Sequence, residues 1–329
     1  MLNSAGVSAI ARAPAILCAG IIVLDEVFRV ERFPEPDTKA AAHSFSVVNG
    51  GCAANAAVAV ARLGGRAALA GPLGGPAGED SNGDHVLAAL AREGVDCTGC
   101  PRRAGVSTAL SAIFIDARGD RVIVTYRDER LEAMLPDDPT GLVASVDAVL
   151  ADNRFPDFVR PICLAARDRG LPVVLDADRP TQMSDDLFRI ATHVVFSSEC
   201  LRATTGLDDL AAALARMADR TSSFLAVTQG AQDVLLARGS YSAKEPGVRG
   251  EGGRHAGRRR HLPRRFRARA CGGQGRNRGH ALRRGRGGTQ MYAPRRQRGG
   301  ATPRRGRRLA RDALTCDSLE PIEPGRIVD

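Results

Sequence analysis

Tryptophan is absent from this chain of 329 residues, tyrosine occurs three times, and aromatic residues together make up only 4%. Long apolar runs are missing as well. The run at residues 15–24 stops at Asp25, far short of the roughly 20 residues a bilayer span needs, and residues 1–14 lack the apolar stretch of a secretory signal. A soluble, cytoplasmic protein without membrane attachment is expected. Paired cysteines are equally scarce. Of eight, only Cys97-Thr-Gly-Cys100 forms a close pair, and no second pair completes a metal site, so the readings left open are metal, redox chemistry or ordinary reduced thiols.

Acidic residues are nearly absent from one stretch, and that gap is the most informative. Residues 1–246 hold 24 Lys+Arg against 31 Asp+Glu, a net of −7, whereas residues 247–311 hold 22 Arg and a single acid, Glu251, a net of +21. Residues 312–329 add a net of −4, so the overall +10 is a property of the last quarter and says nothing about what the acidic remainder binds. With 43% hydrophobic residues the chain can bury one substantial core or two modest ones.

What is present is a rhythm. Short apolar runs at 15–24, 148–151, 172–176, 193–196 and 224–228 alternate with helical patterns at 53–63, 84–93, 158–169 and 207–218. Gly64, Gly94 and Gly170 close three of these, and Asp80, Ser81 and Asn82 offer caps for the second. Strands separated by helices of this length predict βαβ units, a mostly parallel sheet covered on both faces in three α/β/α layers. Two insertions break the pattern. Segments 108–115 and 121–126 flank Asp116-Ala117-Arg118-Gly119-Asp120, which reads as a β-hairpin, and 27–48 is an extended stretch containing Pro34 and Pro36. Together they predict a small antiparallel sheet acting as a lid beside the carboxyl edge of the core.

Gly50-Gly51-Cys52-Ala53-Ala54-Asn55 precedes the first long helix. The glycines permit close approach of backbone to a ligand, the helix start offers unpaired N–H donors, and Asn55 can donate and accept. Taken with Gly20-Ile21-Ile22-Val23-Leu24-Asp25, the hairpin, and Thr228-Gln229-Gly230 after a late strand, the set resembles the ribokinase-like (phosphofructokinase-B) family of sugar kinases over residues 15–236. Within that family the likeness runs nearest to the sulfofructose kinases, through Asp37-Thr38-Lys39, Val149 to Arg154, Val174 to Asp178, and Phe196 to Glu199. The resemblance implies an enzyme that transfers the γ-phosphoryl group of ATP, with Mg²⁺, to a hydroxyl of a ketose or related sugar. It implies that Asp25 holds sugar hydroxyls, where a plain strand-ending acid is the alternative, and that Gly50, Gly51 and Asn55 line the same pocket. Lys39 and Arg154, if they converge, would hold a sulfonate or phosphate on the sugar; otherwise they are solvated surface charges. Thr228 and Gly230 would meet ATP. Glu199 would stand near the metal, although Ser197-Ser198-Glu199-Cys200 departs from the family's Asn-x-x-Glu by one place. A homodimer through the lid is a further implication.

The family's catalytic motif, Asp-Thr-x-Gly-Ala-Gly-Asp, is absent. Its glycines expose N–H groups to the transferring phosphate and its last Asp takes the proton from the sugar hydroxyl. In its place stands Arg254-His255-Ala256-Gly257-Arg258-Arg259-Arg260-His261-Leu262-Pro263, with Arg260 where the base belongs. Reading the possible codons one base later permits Asp-Thr-Leu-Gly-Ala-Gly-Asp-Ile-Phe. Gln290-Met291-Tyr292, read in the same shifted frame, fixes a Cys inside a segment that can resemble the family's C-terminal ATP-site stretch. Residues 247–329 are therefore expected to be a frameshifted translation, with the shift between about 237 and 246, no intact catalytic residue, and too much Arg and Gly to cover the sheet. The expected organisation is an extension at 1–14, a kinase-like domain at 15–246 with its lid at about 27–48 and 107–127, and an aberrant tail. The alternative is a non-catalytic protein whose Arg/Gly-rich tail binds nucleic acid. With only Phe266 and Tyr292 as aromatics before residue 311 that tail lacks stacking platforms, so no specific nucleic-acid partner is expected.

Overall fold

The computed structural model describes residues 12–239 and 241–247. The expectations for 248–329, Arg260 and disorder included, lie outside the described residues. Nine strands form the main sheet. Seven of them, Phe224–Thr228, His193–Ser197, Val173–Ala177, Ala148–Asp152, Ala15–Ala19, Arg66–Ala70 and Val95–Gly99 in spatial order, are parallel, and Val234–Arg238 and Tyr241–Glu245 continue the first edge as an antiparallel meander.

The period of two along each strand sorts side chains into two cores. Leu17, Val149, Leu175, Phe196 and Val227 face one layer, closed by the helices Pro156–Asp168, Ser198–Thr205 and Leu210–Ala218. Cys18, Leu150, Val174, Val195 and Ala226 face the other, where Cys52–Arg62 and Ser81–Arg92 pack. The Ser81–Arg92 helix starts where the sequence places its cap, with the Asp80 carboxylate accepting from Gly83 N. This is the α/β architecture with helices on both faces that the strand and helix rhythm predicts.

A second sheet of four strands, in the order Ala42–Gly50, Val23–Val30, Ala109–Ile115 and Arg121–Tyr126, stands apart as the lid. Two expectations are corrected here. Residues 15–24 are not one strand: the chain turns at Gly20, with φ 142°, and Val23–Val30 crosses into the lid, which therefore begins before residue 27 and ends at Gly50. Asp25 is consequently a lid residue and does not terminate a core strand. The lid is also not wholly antiparallel, because Val23–Val30 and Ala109–Ile115 leave the core in the same direction and pair in parallel. Asp128, held by Arg130 far below the usual carboxylate range, accepts from Ser107 N at 3.2 Å and pins the two ends of the hairpin together.

Candidate functional site

Ligands in parallel α/β sheets settle at the carboxyl ends of the strands, and there the sequence places Gly20, Asp152-Asn153-Arg154, Asp176 to Asp178, and Ser197-Ser198 beside Thr228. The polar residues gather because each apolar strand run ends at the same level.

Asp25 is buried at 5% exposure, on the lid face that also carries Ser111 and Thr125 in register across three strands. Ser111 Oγ and Thr125 Oγ1 lie 3.1 Å apart. Gly50 packs directly on the Asp25 carboxylate, where any Cβ would overlap its oxygens. Gly51, with φ 92°, starts the Cys52–Arg62 helix, and its carbonyl accepts from Asn55 N at 3.0 Å. Asn55 is half-buried in the first turn. The structure thus sets Gly50 against Asp25, with Gly51 and the helix turn bearing Asn55 following directly in the chain.

The residue that joins them was not singled out by sequence. Asp152 is fully buried, and its carboxylate accepts from Ile21 N at 2.9 Å, from Ala53 N at 3.1 Å and from Arg154 N at 3.0 Å. One side chain therefore ties the crossover into the lid, the start of the glycine-led helix, and the loop bearing Arg154. Burial raises its pKa to about 6, backbone donors from Arg154 and Ile21 work against that rise, and the neighbouring Asp176 adds to it. Asn153 was also missed. Its Nδ2 donates to Arg179 O at 2.6 Å and its Oδ1 accepts from Asp178 N and Arg179 N, holding the next loop in place. The available signal was position: both follow a buried apolar run directly.

Arg154 forms an ion pair with Asp178. Burial works against its charge, and the Asp178 carboxylate overrides that, so its pKa is raised. Lys39 lies exposed on the loop between two lid strands and forms no ion pair among the described residues. An open groove of about 220 Å³ lies alongside, between Glu132, Asn153, Arg179 and Thr181.

Further along the same sheet edge, Thr228 is register partner to Ser197, and its carbonyl accepts from Ser198 Oγ at 2.6 Å. Glu199 sits exposed in the first turn of the helix that Ser197 caps through Cys200 N. Gly230, with φ 67°, is exposed at the turn that follows. Thr228, Gly230 and Glu199 thus share one end of the sheet. Among the described residues no group of three or more His, Cys, Asp or Glu could hold a metal ion.

The profile of the pfkB family carbohydrate kinases matches residues 13–251. The chain is 32% identical over 165 residues to an ATP-dependent ribose-1-phosphate kinase of Halopiger xanaduensis, covering 50% of this chain and 54% of that one, so it spans about half the length of this curated relative. A provisionally assigned ribokinase from Agrobacterium tumefaciens superposes with a TM-score of 0.68 at 33% identity, over 73% of this chain and 78% of that one. The Arabidopsis thaliana ribokinase complexed with ribose and ATP shares the fold, with a TM-score of 0.60 at 22% identity over 71% of this chain and 78% of that one.

Proposed function

Since the chain belongs to the pfkB family of carbohydrate kinases, we propose that it carries the sugar-binding half of an ATP- and Mg²⁺-dependent kinase acting on a hydroxyl of a ketose or sulfo-sugar, and that as written it transfers no phosphate. The observation that carries the sugar reading is the buried Asp25 carboxylate, pressed on Gly50 and continued by Ser111 and Thr125 across the lid. A row of one acid and two hydroxyls suits a polyol, because each carboxylate oxygen can accept from a separate hydroxyl and each Ser or Thr can do either. Arg154, with Lys39 on the lid loop, is proposed to take an anionic end of the sugar, as a guanidinium does for a sulfonate or phosphate. That assignment makes the sulfofructose kinases the favoured branch.

The residues present do not fit the triphosphate. Thr228 and Gly230 offer one hydroxyl and a backbone edge, while the glycine-rich run that would cradle transferring phosphate is missing from the sequence. The missing run is explained by a displaced reading frame: the family match stops at residue 251, beside the point where acids vanish and arginine takes over. Under this reading the organisation is a kinase-like domain to about residue 246 followed by a tail of no specific partner, in a cytoplasmic protein. Its dimer would form through the lid's outer face, where Phe45, Phe28, Phe114 and Val122 lie in one row across four strands.

Calorimetry with ribose, fructose and sulfofructose tests the sugar site. Asp25→Ala is expected to weaken binding by about 10–100-fold, the worth of one or two hydrogen bonds to a charged group. Robust ATP turnover by the purified chain, lost in Asp25→Ala, would overturn the inactive reading. Truncation at Arg238 separates sugar binding from polyanion binding by the tail. Resequencing the gene across codons 237–246 tests the frame directly.

A further inference from the structure

The pair Cys97-Thr98-Gly99-Cys100 is not used by the sugar site. It ends the edge strand Val95–Gly99, two strands away from Ala15–Ala19 in the main sheet. Cys100 N donates to Cys97 O at 3.1 Å, which closes a four-residue turn and brings the two Cα atoms within the span of a disulfide. Both side chains pack, half-buried, against the same apolar layer. We propose that Cys97 and Cys100 form a redox couple, a dithiol that a low-molecular-weight disulfide such as oxidised glutathione converts reversibly to an intramolecular disulfide.

The two thiols are unequal in the way such a couple needs. The neighbouring Cys100 lowers the Cys97 pKa, against burial and the nearby Asp96, and Cys97 Sγ faces Val95 O at 3.7 Å. Cys100 is the deeper; the neighbouring Cys97 and burial raise its pKa, and its thiol donates to Leu69 O at 3.4 Å. Cys97 is therefore the attacking thiolate and Cys100 the resolving thiol. Cys97 sulfur attacks one sulfur of glutathione disulfide, breaking that bond and releasing one glutathione thiolate. Cys100 then gives its proton to that thiolate and attacks Cys97 sulfur, releasing the second glutathione. One protein disulfide forms, two protein thiols are oxidised, and one glutathione disulfide is reduced to two thiols. The other buried thiols lack this arrangement: burial pushes Cys163 and Cys200 up to about 12, where thiolate is negligible at neutral pH. A metal reading does not fit, because two sulfurs are half of a site and no third ligand joins them among the described residues.

The full chain, equilibrated in glutathione buffers of increasing oxidised fraction, acid-quenched, alkylated with N-ethylmaleimide and cut with trypsin, yields both thiols on one peptide spanning residues 93–102. The expected result is that this peptide loses both alkylations together, becomes lighter by two hydrogens, and recovers them with dithiothreitol. In Cys100→Ser the reaction is expected to stop at one glutathione on Cys97. In Cys97→Ser, Cys100 is expected to react at least about tenfold more slowly than Cys97 does in Cys100→Ser. The wild-type experiment needs no variant to fold. A peptide that keeps both alkylations at every ratio, or that accumulates separate glutathiones on the two cysteines, would overturn the proposal.

Discussion

Asp152 is the residue on which the candidate site converges, and its chemistry makes a test. Its pKa rises from an ordinary 3.8 to about 6 on folding, so the folded chain binds more protons than the unfolded chain between those values. Stability from this group is therefore greatest at and below about pH 4, falls as pH rises towards 6, and stays lowered above it, by on the order of 2–3 kcal/mol. The carboxylates of Asp84, Asp116 and Glu93, lowered on folding, act in the opposite sense and contribute stability that is lost in acid. Comparing urea midpoints of the native chain and Asp152→Asn at pH 4.5 and 7 isolates the buried carboxyl: the variant is expected to lack the decline that Asp152 causes. Asparagine also leaves one of three backbone donors without its acceptor oxygen, so a constant loss of about 1–3 kcal/mol should appear at both pH values. Sequence reading found Asp25, Gly50, Gly51 and Asn55 because family motifs flag them. Asp152 escaped because a single acid after an apolar run carries no pattern until three N–H groups from distant segments are seen to meet it.

At the scale of elements, what the sequence made legible followed periodicity and punctuation. The hairpin of Ala109–Ile115 and Arg121–Tyr126 and the helices closed by glycine were readable because turn residues bracket them. Arg66–Ala70 and Val95–Gly99 were not, since Arg-Ala-Ala-Leu-Ala has helical composition and Val-Asp-Cys-Thr-Gly is polar at an edge; pairing of the first with Ala15–Ala19 and of the second with Arg66–Ala70 decides both. The short helix Ser198–Thr205 was hidden for the opposite reason: it follows the strand before it with no intervening loop, although Ser197 caps its start and Gly206 closes its end. The break at Gly20 was concealed by the unbroken apolar run through Leu24, and the crossing it allows delivers Asp25 to the lid. Gly51 sits at the matching junction on the return path, where a Cβ would overlap the Ile21 carbonyl oxygen. Gly51→Ala is expected to cost at least about 2 kcal/mol, from left-handed strain together with displacement of that carbonyl. Gly78 has nearly the same φ, 89°, with open space where a Cβ would go, so Gly78→Ala should show the strain alone, about 1 kcal/mol. Thermal unfolding of the two variants separates the contributions. Equal losses would mean that the junction tolerates a shift of the Ile21 backbone.

The whole chain combines a stretch of net −7 over residues 1–246 with net +21 over 247–311 and net −4 over 312–329, and only the first has the alternation that builds layers. Arginine and glycine at the density of 247–311 cannot supply an apolar stripe to pack on a sheet, and no acid stands where a base would receive the sugar's proton. Under the proposed displaced frame both defects would follow from one base, since GC-rich codons for Ala, Gly and Asp become those for Arg and Gly when read out of step. Restoring the frame at one base between codons 237 and 246 therefore replaces both at once. The restored chain is expected to phosphorylate a sugar at least about 10²–10⁴-fold faster than the chain as written, the contribution of a general base alone, with the anion-binding glycines adding to it. It should also elute as a better-defined species, because a folded C-terminal segment would cover apolar surface that otherwise promotes association. Coupled assays for ADP release on both chains, each with Asp25→Ala as control, distinguish the outcomes. If restoration recovers activity that Asp25→Ala removes, the sugar half-site is intact in the chain as written and the loss lies wholly in the displaced quarter. If restoration leaves the chain inactive, the arginine-rich segment is no accident of reading frame, and the family fold has been kept for binding without phosphoryl transfer.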